Sequence, residues 1–167
     1  MVNLPVRLFG DPVLTTPAAE VTVFDASLRK LALDMLETMD AAGGVGLAAN
    51  QVGVLKRVFT YDCQGLRGVL VNPTWASIGN KLQVGPEGCL SIPGVRAEVP
   101  RHDTVVARGV DVEGKPVAIR ASGLLARCIQ HESDHLDGVL FLTRMEPAVR
   151  AAAMAEIRAA EWSQQRP

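Results

Sequence analysis

Two of the three histidines in this 167-residue chain stand four positions apart, in His131-Glu132-Ser133-Asp134-His135. On a helix, residues i and i+4 are neighbours on one face, so both imidazoles can reach a single ion. Glu132, offset by one position, can then touch a water held by that ion rather than the ion itself. This is the chemistry of metal-assisted hydrolysis, in which the ion acidifies a water and a carboxylate moves its proton. The bland alternative is a surface helix carrying two unconnected histidines. It is disfavoured because Leu124, Cys128, His131 and His135 share one helical face, expected to point inward, and inward imidazoles need partners.

A catalytic ion of this kind takes three protein ligands and keeps one position for water. Gly138 fits the glycine of the longer metzincin pattern, but Phe141 stands where that pattern wants its third histidine. A thermolysin-like acidic ligand would have to be Glu146, Glu156 or Glu161; spacing excludes none and favours none. Cys89, in Pro86-Glu87-Gly88-Cys89-Leu90-Ser91, is the better candidate. It reads as a loop residue between small neighbours, and a backbone N–H beside a metal ligand is well placed to donate to an oxyanion. A third stretch, Gly43-Gly44-Val45-Gly46-Leu47-Ala48-Ala49-Asn50-Gln51, is not a phosphate loop, since no Lys-Ser/Thr follows it. Its clustered glycines describe backbone that something approaches closely, and Gln51 adds a neutral amide donor. Taken alone, the stretch is equally a loop after a helix.

The elements that must position these residues follow from periodicity. A first helix is expected over 26–41, capped by Asp25 or Ser27, with Leu28, Leu31, Ala32, Met35 and Met39 as its apolar stripe and Gly43-Gly44 as its stop. Short strands are expected over 57–62, 69–71, 81–84, 95–99, 104–110 and 116–120, the last two paired through the turn Asp111-Val112-Glu113-Gly114. A second helix runs from an N-cap at Ser122 to Asp137, with Gly138 as its left-handed cap, and a third from Pro147 to about Trp162. Helix, many short strands, then two helices indicates an α+β fold. The length suits one domain, 1–167. A net charge of −1 leaves no electrostatic footprint for nucleic acid, and 4% aromatic residues imply an aliphatic core. The longest charge-free stretch, Ala41 to Leu55, is too short and polar to span a bilayer, and no secretory signal is visible. Three cysteines (Cys63, Cys89, Cys128) argue against a disulfide framework, so a soluble cytoplasmic protein is expected.

The segments GVGLAANQ, EGCLS and QHESDH, in this order, resemble the three signature motifs of the peptide deformylase family. These are metallohydrolases that remove the N-formyl group from the initiator methionine of nascent bacterial proteins. The likeness begins at Asp11-Pro12-Val13-Leu14, includes Pro93 to Arg101 and Gly123 to Arg127, and extends through Leu142. The resemblance implies an α+β fold, with the HExxH helix at the centre of short antiparallel sheets and a helix near each terminus. It implies Cys89, His131 and His135 as metal ligands and Glu132 as general acid/base. Gln51 and the backbone N–H of Leu90 would stabilise the oxyanion formed when an activated hydroxide attacks the formyl carbon and formate is released. Val45 and Gly46 would bind the peptide backbone in strand-like fashion, Arg96 would lie near the peptide, and Leu124, Arg127 and Cys128 would wall the methionine pocket. Asn50, Asp40 and Gly85 depart from the proline, aromatic and branched aliphatic residues common at their positions, which bears on side-chain preference.

The implied cofactor is one divalent ion, Fe2+ foremost, with Zn2+, Ni2+ and Co2+ compatible with thiolate and imidazole. The implied partners are N-formylmethionyl nascent peptides and, transiently, the ribosome; no nucleic-acid specificity, membrane or second subunit is expected. Four arginines against three glutamates from Arg144 to Pro167 make a weak phosphate-binding helix. Two rival readings stand beside this one. A zinc metallopeptidase of the HExxH kind leaves Cys89 and Gln51 without a task. A closed structural site of Cys89, Cys128, His131 and His135 has no use for Glu132.

Overall fold

The carboxylate of Asp25 accepts from the backbone N–H of Leu28 at 3.0 Å and opens α1 (Ala26–Ala41). Leu28, Ala32, Met35 and Met39 are buried along one side of it, as their spacing requires. Gly43, at φ +69°, turns the chain out of the helix. A computed structural model describes residues 2–164; Met1 and residues 165–167, with Arg166 among them, lie outside the described residues. After α1 come β1 (Gly46–Ala48), a short 3₁₀ turn (Ala49–Val52), β2 (Val58–Cys63) and β3 (Leu66–Ser77). These are followed by β4 (Leu82–Cys89), β5 (Ile92–His102), β6 (Thr104–Val110) and β7 (Pro116–Ser122). Helix α2 (Gly123–Leu136), a 3₁₀ turn (Phe141–Arg144), α3 (Pro147–Ala159) and the short α4 (Glu161–Gln164) complete the chain.

The strands form two antiparallel sheets, one ordered β1-β2-β3-β6-β7 and one a β4-β5 hairpin. The β6–β7 pairing, with Val110 opposite Pro116, has the register the turn at 111–114 predicts. Strands β3, β4 and β5 are longer than their hydrophobic runs suggest. In β3 the obstacle is Asn72-Pro73, which reads as a turn. Asn72 sits at φ +52° in a register shift, where its amide clamps Val21 by both N–H and C=O, and the strand continues beyond it. In β4 and β5 the obstacles are Gly85-Pro86, Pro93-Gly94 and Pro100, all tolerated because a two-stranded sheet consists of edges.

Between the sheets lies α2. Every residue from Leu125 to Leu136 is buried, so the expectation of a single inward face is corrected: the helix is enclosed all round, and only Leu124 at its start is exposed. Leu125, Ala126, Cys128 and Ile129 pack with Phe59, Leu70, Val105 and Ala107 of the larger sheet. On the hairpin side, Ile92, Val95 and Val99 pack with Phe141, Leu142, Ala153 and Ile157. The expected cap at Ser122 is also corrected. Its hydroxyl pairs with Thr104 at 2.9 Å, and the side-chain oxygen of Gln64 receives the Leu125 N–H at 3.2 Å instead. At the other end Gly138, at φ +75°, provides the left-handed cap, and a side chain there would lie 2.8 Å from the Thr15 carbonyl oxygen. The third helix stops at Ala159, short of Trp162, because Ala160 is extended; Trp162 rides α4 and donates to Pro93 O at 3.0 Å. No helix among the described residues is long and apolar enough to cross a membrane.

Candidate metal centre and active site

Cys89 is the last residue of β4, not part of a loop, and its Sγ lies 3.4 Å from His135 Nε2. His135 Nε2 lies 3.1 Å from His131 Nε2, one turn earlier on α2. The three donor atoms all fall within 4.8 Å of one another, and all three side chains are buried. A tetrahedral ion with metal–N of about 2.0–2.1 Å and metal–S of about 2.3 Å would hold such donors roughly 3.3–3.6 Å apart. The 3.4 and 3.1 Å separations lie close to that range, and the donor chemistry fits a divalent transition metal. Cys128 and the acidic candidates Glu146, Glu156 and Glu161 do not belong to this converging group. Cys128 instead points its thiol at Val45 O, 3.5 Å away, and burial pushes that thiol well above its ordinary pKa.

The sequence pattern gave no role to Glu87, yet it is the hub behind the metal ligands. Two positions before Cys89, it shares that residue's buried side of the strand, and its Oε2 lies 2.7 Å from His131 Nδ1. A carboxylate on Nδ1 fixes the ring and leaves Nε2 for the ion. Arg101 forks onto Glu87 at 3.1 and 2.7 Å, and Arg127 adds a bond at 2.9 Å. Burial alone would raise the Glu87 carboxyl, but the hydrogen bonds from His131 and Arg101 outweigh it and hold it far below the usual carboxylate range. The signal that could have found Glu87 is its i, i+2 placement from Cys89, readable only once the segment is known to be a strand.

Burial works against charge on either imidazole. At His131 the negative neighbours Glu132, Cys89 and Glu87 overcome it and raise the pKa well above the ordinary value. At His135 burial, reinforced by His131 and Arg101, depresses it well below. Burial also pushes the Glu132 carboxyl up to about 7, with His131 opposing and Glu87 adding to the rise. Glu132 stands against Gly46, where an added side chain would come within 3.0 Å of its Oε2 and 2.7 Å of Cys128 Sγ. Gln51, on the 3₁₀ turn, is fixed through its Oε1 by the Ala48 N–H at 3.0 Å. Its amide Nε2 then faces Ser91 Oγ at 3.1 Å and Cys89 Sγ at 3.8 Å.

These groups border one cavity of about 550 Å³, walled by 42–46 and Gln51 on one side, the β4–β5 hairpin from Pro86 to Arg96 on another, and α2 behind. Leu90, Val45, Gly46, Arg96, Leu124, Arg127, Cys128, Cys89, His131, Glu132 and Gln51 all line it; His135 lies behind its neighbours. Arg127 reaches the cavity wall, but its guanidinium is engaged by Glu87, Val99 O at 2.8 Å and Gln83 at 3.2 Å. Gly85 does not line the cavity; a side chain there would meet Arg127 Nη2 at 3.5 Å. The other two departures have structural tasks. Asn50 is buried and donates to Thr16 O at 2.9 Å, and Asp40 receives a two-pronged ion pair from Arg67.

Residues 3–151 match the family model described as polypeptide deformylase. The chain belongs to the polypeptide deformylase family. It is 62% identical over 161 residues to peptide deformylase 1 of Corynebacterium efficiens, covering 94% of this chain and 95% of the relative. It is 55% identical over 161 residues to a peptide deformylase of Acidothermus cellulolyticus, covering 96% and 89% of the two chains. Among solved structures, a peptide deformylase from Legionella pneumophila superposes with a TM-score of 0.90 at 37% identity, covering all of both chains. One from Synechococcus elongatus, in complex with actinonin, gives 0.88 at 41% identity, with 98% and 92% covered. The α+β architecture is thus that of the deformylase family, with a metallohydrolase centre for which this chain offers Cys89, His131 and His135.

Proposed function

We propose that the protein is a peptide deformylase that removes the N-formyl group from N-formylmethionyl nascent polypeptides and releases formate. The observation that carries this reading is the convergence of the Cys89, His131 and His135 donor atoms beside a cavity that Cys89, His131, Glu132 and Gln51 line together, next to the short strand β1. Cys89, His131 and His135 would hold a single divalent ion, proposed as Fe2+; Zn2+, Ni2+ and Co2+ suit the same donors. Such an ion supplies an acidified water, with its pKa lowered from about 15.7 to near 7, and so a nucleophile at neutral pH.

The chain's own residues do the rest. Glu132 takes the proton of the attacking water on a carboxylate oxygen and passes it to the amine nitrogen as the formyl C–N bond breaks. Gln51 Nε2 and the Leu90 N–H donate to the oxygen that gains negative charge. β1 is an edge of its sheet, so the backbone at Val45 and Gly46 can take an extended peptide as an added strand. Leu124, Arg127 and Cys128 wall the space for the methionine side chain, and the exposed Arg96 stands where the following residues leave the cavity. The reading is of one catalytic domain over 1–167, acting as a monomer in the cytoplasm with only transient ribosome contact. Actinonin, bound by the Synechococcus relative, is expected to occupy this cavity.

Formate release from a formyl-methionyl tripeptide, measured beside cleavage of an unformylated protein, tests the proposal. Release of formate without internal cleavage supports it; internal cleavage alone would identify a metallopeptidase instead.

A further inference from the structure

Behind His131 runs a chain of buried charges that the hydrolytic chemistry does not itself consume. Arg101 is shared between two carboxylates: its Nε and Nη2 go to Glu87, and its Nη1 goes to Asp134 Oδ2 at 2.8 Å. Asp134 stands on α2 immediately before His135 and three residues after His131. Both of its oxygens are taken by Arg144, Nε to Oδ2 at 3.1 Å and Nη2 to Oδ1 at 3.0 Å. The side chains of Arg101, Glu87 and Asp134 are 4%, 5% and 8% exposed, whereas that of Arg144 is 48% exposed. Arg144 closes the 3₁₀ turn that leads into α3, so the outer end of the network lies on the C-terminal segment.

A buried carboxylate with a single guanidinium partner is poorly compensated, and a forked second one compensates it with fixed geometry. If Arg144 is removed, Asp134 must draw more on Arg101. The Arg101 fork on Glu87 then loosens, and Glu87 is the group that sets the ring of His131. Resting on the metal centre proposed above, we infer that Arg144 is a positioning residue. It fixes Asp134 and, through Arg101 and Glu87, the His131 imidazole, so that the segment entering the C-terminal helix governs how tightly and in what geometry the ion is held.

The test compares Arg144→Met with Arg57→Met. Arg57 tethers the same end of α2 through Leu136 O at 3.1 Å and Asp137 at 3.0 Å, outside the network. Two readouts are needed besides activity: Zn2+ affinity by chelator competition, and the visible spectrum of the Co2+-loaded protein. Loss of an outer partner of a ligating histidine typically weakens metal binding by about 10–100-fold, and for Arg144, three partners beyond Glu87, a smaller loss of about threefold is expected. Arg144→Met should show that loss with displaced Co2+ bands. Arg57→Met should lower the unfolding midpoint while keeping affinity and spectrum, and Arg144→Lys, which cannot fork onto both oxygens, should fall between. Unchanged affinity and spectrum in Arg144→Met, or the same loss in Arg57→Met, would overturn the inference. If Arg144→Met does not fold, Arg144→Lys is read in the same way. Unaltered Zn2+ binding in Cys89→Ser would remove the metal centre itself, and this inference with it.

Discussion

Burial, opposed in part by His131, leaves the Glu132 carboxyl at about 7, so that it is only partly ionised at neutral pH. A divalent ion held by the proposed ligands His131 and His135 would favour the ionised form. The proposed role needs the carboxylate form, so kcat/KM should rise with pH and level off, with its acid limb at or below about 7 in the metal-loaded protein. An acid limb well above 7 would count against Glu132 as the group that titrates. Gln51 is the second residue with a stated magnitude. Its amide is oriented by the Ala48 N–H and faces Ser91 and Cys89. Gln51→Ala should therefore lower kcat by about 10²–10³-fold while sparing the fold, as losing one oxyanion donor does. Residue types and spacing pointed to Glu132 through HExxH, whereas Gln51 took its expected role only from the resemblance to the family, since its stretch alone reads equally as a loop. Glu87 was not legible. A glutamate before a glycine carries no signal until the strand is known, and its partners Arg101 and His131 lie 14 and 44 residues away.

At the scale of elements, α2 has to be enclosed and also stopped at a fixed point, so that His131 and His135 meet Cys89 from the hairpin. Gly138 makes that stop, with a left-handed backbone packed against the Thr15 carbonyl. Gly138→Ala adds both the conformational penalty and the clash, so it should destabilise the protein by more than about 1 kcal/mol, read as a lower denaturant midpoint at unchanged slope. A midpoint equal to that of the parent would mean that the cap is not under strain. The first helix, its Asp25 cap and the β6–β7 hairpin were readable because their apolar period, capping residue and turn signal agree. Strands β3 to β5 were not readable to their full length. Their prolines and glycines mimic loops, and only the pairing registers, of β3 with β6 and of β4 with β5, show that the ladders run through them. Reading Cys89 as a loop residue was a consequence of that same composition.

For the whole molecule, the near-zero net charge conceals a buried set of charges whose stability depends on pH. Glu87 has a folded pKa held far below its ordinary value of 4.5. Its contribution is therefore fully present above pH 4.5 and is lost as pH falls through the acid range, where the unfolded chain binds a proton that the folded one refuses. Unfolding free energy followed from pH 6 downward should fall less steeply in Glu87→Gln than in the parent, although that variant starts from a lower value because Arg101 and Arg127 lose a buried partner. The central claim concerns the cavity. It is tested most directly by formate release from a formyl-methionyl peptide by Glu132→Gln, with the metal content of the same sample determined. A full complement of one ion with turnover abolished is the predicted result. Turnover at the parent rate with the ion in place would contradict the account.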